Sequence, residues 1–364
     1  MKEPTITINQ ELLQLIAELD EFKGKWELLK TLSPERLQQL RKVATIESIG
    51  SSTRIEGAKL TDIQVETLLS NLTSTAFKTR DEQEVAGYAE AMDMVFQAYE
   101  DLHITENHIR QLHQVLLRHS SKDGHHRGNY KTLSNQVVAI DETGAEIGIV
   151  FETTTPFDTP REMEELVGWT RKAIEEASMH PLLIVAVFNV VFLAIHPFQD
   201  GNGRLSRILI TLMLLRAGYH YVPYASLESI VEENKDLYYK ALRRTQTTLK
   251  AEATDWQPWL GFLKKQKSNL SVKLDREQLD KEKLDKASLE KEHPQLHTDT
   301  DLPTLSIQVL GLFKKHNRLT IAEMVELTGA NQNTLKVRLR ELVSANYLQR
   351  HGKGRATWYT RSLN

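Results

Sequence analysis

Residues 181–195, PLLIVAVFNVVFLAI, run for fifteen positions with Asn189 as their one polar side chain. A segment of this kind must be covered on every face. It falls short of the roughly 20 residues that a bilayer span requires, so it reads as a helix buried in protein. Directly after it, HPFQDGNGRLSR at 196–207 is polar, and RLSRILITLMLLRAG at 204–218 is apolar again, with Gly218 where a helix commonly stops. Two buried helices therefore mount a loop that carries a histidine, a carboxylate, two glycines and two arginines.

A chain of 364 residues with 40% apolar and 26% charged side chains has enough material to bury such a pair and to add a smaller domain. It contains no cysteine, which excludes disulfides and thiolate metal sites and fits a reducing compartment. The polar start, MKEPTITINQELLQ, has no secretory pattern, so a cytoplasmic protein without membrane partners is expected. Charge is unevenly spread. Residues 303–364 hold ten Lys and Arg against three acids, a net +7, and the remainder carries −10 of the overall −3. A basic tail on an acidic body suggests partners of different charge preference.

Apolar spacing of three and four residues predicts helices through most of 10–120. Two β-rich runs, NQVVAI and IGIVF, flank DETGAE with Gly144 in the turn, which predicts a hairpin. Helical patterning returns after Pro160, with Thr159 as the expected N-cap. Between about 264 and 300, Leu274, Leu279, Leu284 and Leu289 recur every five residues and so spiral around a helix without forming a seam, which predicts a solvated helix or linker. The expected division is an N-terminal helical region at 1–100, a central domain at 101–262, a charged helical linker at 263–302 and a basic domain at 303–364.

The loop at 196–207 has the parts of a phosphate site. Gly201 and Gly203 let backbone N–H groups approach an anion, and the following helix offers unpaired donors and its positive dipole end. Arg204 and Arg207, three apart, can hold several phosphate oxygens, and Asp200 is placed to hold Mg²⁺ against them. His196 suits a general base acting on a hydroxyl. No GxxxxGK[S/T] loop or HExxH motif competes for this role, and the histidines at 103, 108, 113, 119, 125 and 126 have no spacing that stacks ligands on one helix face.

The stretch resembles the Fic family signature HxFx(D/E)GNGRxxR at every specified position. GNYK with the hairpin resembles the family's target-docking flap, and ENKDLYYKAL resembles the segment beside the nucleotide base; the resemblance spans roughly residues 40–262. It implies a mainly α fold, a Fic-type helical bundle with a β-hairpin flap, that transfers AMP from ATP to a protein Ser, Thr or Tyr hydroxyl. By position, His196 would be the base, Asp200 the Mg²⁺ ligand, Gly201, Asn202 and Gly203 the anion hole, and Arg204 and Arg207 the holders of the outer phosphates. Tyr238 and Tyr239 would lie on the adenine side, and Val137 and Val138 would dock the target as an added strand. Family similarity also allows a homodimer.

Ser52, Glu56 and Gly57 in ESIGSSTRIEGAKLT resemble the family's inhibitory pattern (S/T)xxxE(G/N). A carboxylate held against Arg207 would take the space of the γ-phosphate, and the same group could orient water for AMP removal. The tail resembles a winged helix-turn-helix, with RLTIAEMVELTG as a helix stopped at Gly329, a recognition helix bearing Lys336, Arg338 and Arg340, and a basic wing around GKG. Its charge fits DNA backbone contact, and protein contact is the other reading. The alternative for the whole chain is a DNA-binding transcriptional regulator whose central domain only senses nucleotide.

Overall fold

A computed structural model of the chain describes residues 3–29, 34–71, 77–140, 146–263, 304–313, 316, 318–344, 347–352 and 357–361. They fall into two compact units, Met1–Asp275 and Arg276–Asn364. The leucine spiral at 274–289 and the hairpin turn at 141–145 lie outside the described residues.

In the first unit the elements are α1 (Gln10–Leu29), α2 (Pro34–Ile55), α3 (Asp62–Ser70), α4 (Arg80–Ala98), α5 (Glu106–Leu116), β1 (Gln136–Ile140), β2 (Glu146–Glu152), α6 (Thr159–Glu175), α7 (Pro181–Ile195), α8 (Asn202–Arg216), α9 (Leu227–Glu233) and α10 (Lys235–Gln246). The apolar run is α7. It is buried from Leu183 to Ile195 except for a partly covered Val191, with α6 and α8 packed beside it. Threonines start several helices: Thr61 and Thr79 form capping boxes with Gln64 and Glu82, each satisfying amides that the helix leaves open. At Gly87, α4 runs so close to α5 that a Cβ would overlap the Leu116 carbonyl.

The cap of α6 differs from the expectation. Asp158 occupies the N-cap and Thr159 is already helical, because the Thr159 hydroxyl is spent on the Thr155 carbonyl at 2.7 Å while Thr155 and Asp158 close the turn in front. The hairpin pairs β1 with β2 antiparallel, Val137 opposite Phe151 and Val138 opposite Ile149, with register shifts after Val137 and after Ala139. No helix among the described residues is long and apolar enough to cross a membrane.

The second unit has its own core, including Val309, Phe313, Met324, Leu335, Leu339, Leu342 and Tyr359. Its helices are α11 (Thr304–Leu312), α12 (Ile321–Thr328) and α13 (Gln332–Ser344). Strands β3 (Leu319–Thr320), β4 (Leu348–His351) and β5 (Trp358–Arg361) form an antiparallel sheet in the order β3, β5, β4. The helix expected from Arg318 thus begins later. Leu319 and Thr320 pair with β5, and Thr320 then caps α12 in a box with Glu323, while Gly329 at φ +65° ends it. Lys336 and Arg338 are partly exposed and Arg340 is exposed, whereas Leu335, Leu339 and Leu342 are buried, and Arg338 pairs with Glu341 at 2.7 Å. Lys353 and Arg355 of the basic tip lie outside the described residues.

Candidate functional site

The loop between α7 and α8 is shaped by two left-handed residues. His196 terminates α7 at φ +52°, ψ +60°, a conformation that costs a non-glycine residue of order 1–3 kcal/mol. Gly201, at φ +78°, caps α8. Between them Asn202 clamps the turn: its Oδ1 accepts from the Phe198 amide at 2.9 Å and its Nδ2 donates to the Phe198 carbonyl at 2.7 Å. Its side chain is therefore a staple of the loop, and its backbone N–H lies at the start of α8, where an anion would be met. Phe198 is fully buried and stacks on His113 at 3.8 Å.

His196 remains partly exposed. Its Nδ1 faces the Leu193 carbonyl at 3.3 Å, which favours the proton on Nδ1 and leaves the Nε2 lone pair for a substrate. Burial pulls its pKa down to about 4; the Lys131 ammonium acts in the same direction, and Glu56 and Asp200 oppose it. The ring is a neutral base at ordinary pH.

Asp200 is engaged on both oxygens. Oδ1 accepts from the Gly201 amide at 2.5 Å and faces Arg204 at 3.3 Å, and Oδ2 meets Arg80 at 3.2 Å. Burial raises its pKa, and Arg204, the Gly201 amide and Arg80 together outweigh that and hold it below the usual value, so it is charged. Arg204 lies 2% exposed beside Glu84 at 3.2 Å, and its Nε has no hydrogen-bond partner among the described residues. An unused guanidinium donor beside a helix N-terminus fits an anionic ligand. A single charged carboxylate fits Mg²⁺ held mainly by phosphate oxygens and water; no group of three His, Asp or Glu that could enclose a metal occurs among the described residues.

Arg207 is occupied. Its Nε donates to Ser52 Oγ at 2.7 Å, and its Nη2 donates to the Ser52 carbonyl at 2.9 Å and to Glu56 Oε1 at 2.8 Å. Glu56 sits one residue beyond α2, on a turn closed by Gly57 at φ +108°. It abuts the start of α8 so closely that a Cβ on Gly203 would overlap its carboxylate. Burial pushes the Glu56 carboxyl up, and the Arg207 guanidinium, helped by Arg204, brings it below its ordinary value. The sequence pattern thus joins residues 151 positions apart in one ion pair.

The two tyrosines separate. Tyr238 is core, packed on Trp259 at 5.4 Å and Phe262 at 5.6 Å, whereas Tyr239 borders an open pocket with Lys240 and Arg243. Val137 and Val138 straddle a register shift in β1.

Several residues escaped the sequence reading. Glu84 meets Arg204. His113 is fully buried, accepts from the Gly128 amide at 2.8 Å and so offers its Nε2 proton to the Asp200 carbonyl at 3.0 Å. Buried Glu228 takes the Tyr88 hydroxyl at 3.1 Å, in the field of Arg207. Only the GNYK segment, which contains Gly128, hinted at any of them.

Residues 103–214 match the family model described as Fic/DOC. The chain is 29% identical over 229 residues, 62% of its length, to "Protein adenylyltransferase Fic" of Drosophila mojavensis, and spans about 40% of that relative. Among solved structures, a Fic family protein from Desulfovibrio desulfuricans superposes with TM-score 0.61 at 21% identity, covering 99% of this chain and 98% of its own. A Fic domain containing signaling protein from Bacteroides thetaiotaomicron gives TM-score 0.56 at 26% identity, over 69% of this chain and 91% of its own. The chain therefore has a Fic-type fold, and its segment 103–214, which holds α7, the loop and α8 as far as Leu214, is a Fic/DOC family domain.

Proposed function

We propose that the chain is a self-inhibited protein adenylyltransferase. The observation that carries this reading is the Glu56–Arg207 pair at 2.8 Å, set against the N-terminus of α8 beside a neutral histidine. His196 Nε2 takes the proton of a Ser, Thr or Tyr hydroxyl on a target protein or on the chain itself; the oxygen attacks the α-phosphorus of ATP, the bond to the β-phosphate oxygen breaks, and diphosphate leaves. The backbone at Gly201, Asn202 and Gly203 stabilises the charge that develops, and Arg204 and Arg207 hold the outer phosphates. Asp200 would hold Mg²⁺, which when bound offsets phosphate charge. Of the aromatic pair, Tyr239 faces the base. The target adds a strand to β1 near Val137 and Val138.

With Glu56 in place a carboxylate fills the side of Arg207 that a γ-phosphate would take, so ATP is not held productively. Once AMP is attached, the same carboxylate is suited to orient water for its removal. Incubation with α-labelled ATP and magnesium tests the reading: Glu56→Gly labels protein well above the parent chain, and His196→Ala in that background abolishes label. Absence of label in both parent and Glu56→Gly would favour a nucleotide sensor.

We also propose that the C-terminal unit is a winged helix-turn-helix that contacts DNA through Lys336, Arg338 and Arg340. Its support is that α13 buries Leu335, Leu339 and Leu342 while leaving Lys336, Arg338 and Arg340 at least partly exposed, and that paired strands follow it. Loss of a gel shift on genomic fragments in Arg338→Ala/Arg340→Ala supports DNA contact, and no shift at any salt concentration points to a protein partner.

A further inference from the structure

The helix that ends at His196 leaves its last carbonyls without intrahelical donors, and of those in the turn that follows, that of Phe198 is met locally, by Asn202. In this chain four consecutive carbonyls are met from one short segment. Lys131 Nζ donates to the Ile195 carbonyl at 3.0 Å and the Lys131 amide to that of Pro197 at 2.8 Å. Asn135 Nδ2 donates to the carbonyls of Phe198 at 2.8 Å and His196 at 3.4 Å. The same two residues hold both feet of the hairpin. The remaining Lys131 protons go to Asn135 Oδ1 at 2.8 Å and Thr153 Oγ1 at 2.9 Å, and the Thr153 hydroxyl donates onward to the Asn135 carbonyl at 2.6 Å. Asn135 immediately precedes β1, and Thr153 immediately follows β2.

Lys131 is 3% exposed, and among the described residues its ammonium hydrogen-bonds only neutral oxygens, with Glu162 acting on it through charge alone. Burying a cation on neutral oxygens alone is unfavourable, so its place here is explained by geometry: three fixed acceptors belonging to the hairpin and to the turn of the base. We propose that Lys131 and Asn135 are positioning residues, which lock the His196 imidazole in register with a target strand laid on the hairpin. The inference rests on the adenylyltransferase reading above. It adds that base and docking surface are one hydrogen-bonded unit.

Kinetics in the Glu56→Gly background test it. Lys131→Met, which keeps the stem and loses the donors, is expected to lower kcat for AMP transfer about 100-fold, the scale set by misplacing a reacting group by about 1 Å, while KM for ATP stays within about threefold. Asn135→Leu moves in the same direction, and Lys131→Arg recovers part of the loss with unchanged melting temperature. An unchanged kcat in Lys131→Met, or a loss matched by an equal rise in KM for ATP, overturns the proposal.

A second readout does not need activity. The groups facing His196 are Lys131, Glu56 and Asp200. With Glu56 already removed, NMR titration of the His196 ring, assigned by difference with His196→Asn, is expected to show a higher midpoint in Lys131→Met than in its parent. Equal midpoints overturn the positioning role. If the Glu56→Gly parent gives no His196-dependent label, the adenylyltransferase reading fails, and this titration still decides whether Lys131 sets the base.

Discussion

Arg207 has two of its nitrogens committed to Ser52 and Glu56, so the proposed brake depends on a single guanidinium. Glu56→Gly removes the competing anion and spares the Ser52 contacts; its expected effect is a rise of about tenfold or more in AMP transfer, one charge-assisted contact being worth at least about 1.4 kcal/mol. Because burial holds His196 near 4, its neutral form dominates above pH 5. The Glu56→Gly rate should therefore be flat from pH 6 to 8 and fall only toward pH 4; a profile still climbing through pH 6.5 would show the base to be another group. His113 has the same low value for the same cause, burial. Its unfolded pKa lies near 6.5, so the unfolded chain binds the proton first, and stability is intact above pH 6.5 and lost as pH falls toward 4. The loss is up to about 3 kcal/mol. Melting temperature measured between pH 7 and 4.5 checks this, with a flatter dependence expected in His113→Gln.

Between elements, contacts of backbone and charge decide the fit. Adding a methyl at Gly87 forces it into the Leu116 carbonyl, so Gly87→Ala should separate α4 from α5 and cost about 1–3 kcal/mol in denaturant unfolding. The end of α2 is fastened to α9 by Arg54, which reaches Glu232 at 2.6 and 3.0 Å and Asp62 at 2.8 Å. Arg54→Ala is expected to loosen Glu56 and raise basal labelling several-fold, less than Glu56→Gly does. How far the sequence shows these elements follows from how each is encoded. The α7 and α8 helices and the loop between them were legible because their information is contiguous. The hairpin strands were legible from β-rich runs, but the register shifts at Val137 and Ala139 were not, since a bulge leaves alternation locally intact. Glu84, His113, Lys131 and Asn135 reach the loop or Arg204 from 61 to 120 positions away, three of them through backbone carbonyls, and neither relation leaves a short-range pattern.

At the scale of the whole chain, the proposed chemistry lies within the first unit, and the second has a separate core. A Glu56→Gly chain ending at residue 263 should keep its labelling rate within about threefold; a larger loss would assign part of the activity to the basic unit. One feature of the first unit also bears on when such an enzyme would work. Glu56 and the nucleotide would contend for Arg207, yet the carboxylate is part of the chain and its local concentration never falls. A tethered competitor of this kind acts at millimolar effective concentration or above, whereas the nucleotide arrives only at the level the cell maintains. Output would then follow the supply of triphosphate and the firmness of the tether, giving the molecule a threshold set by its own sequence.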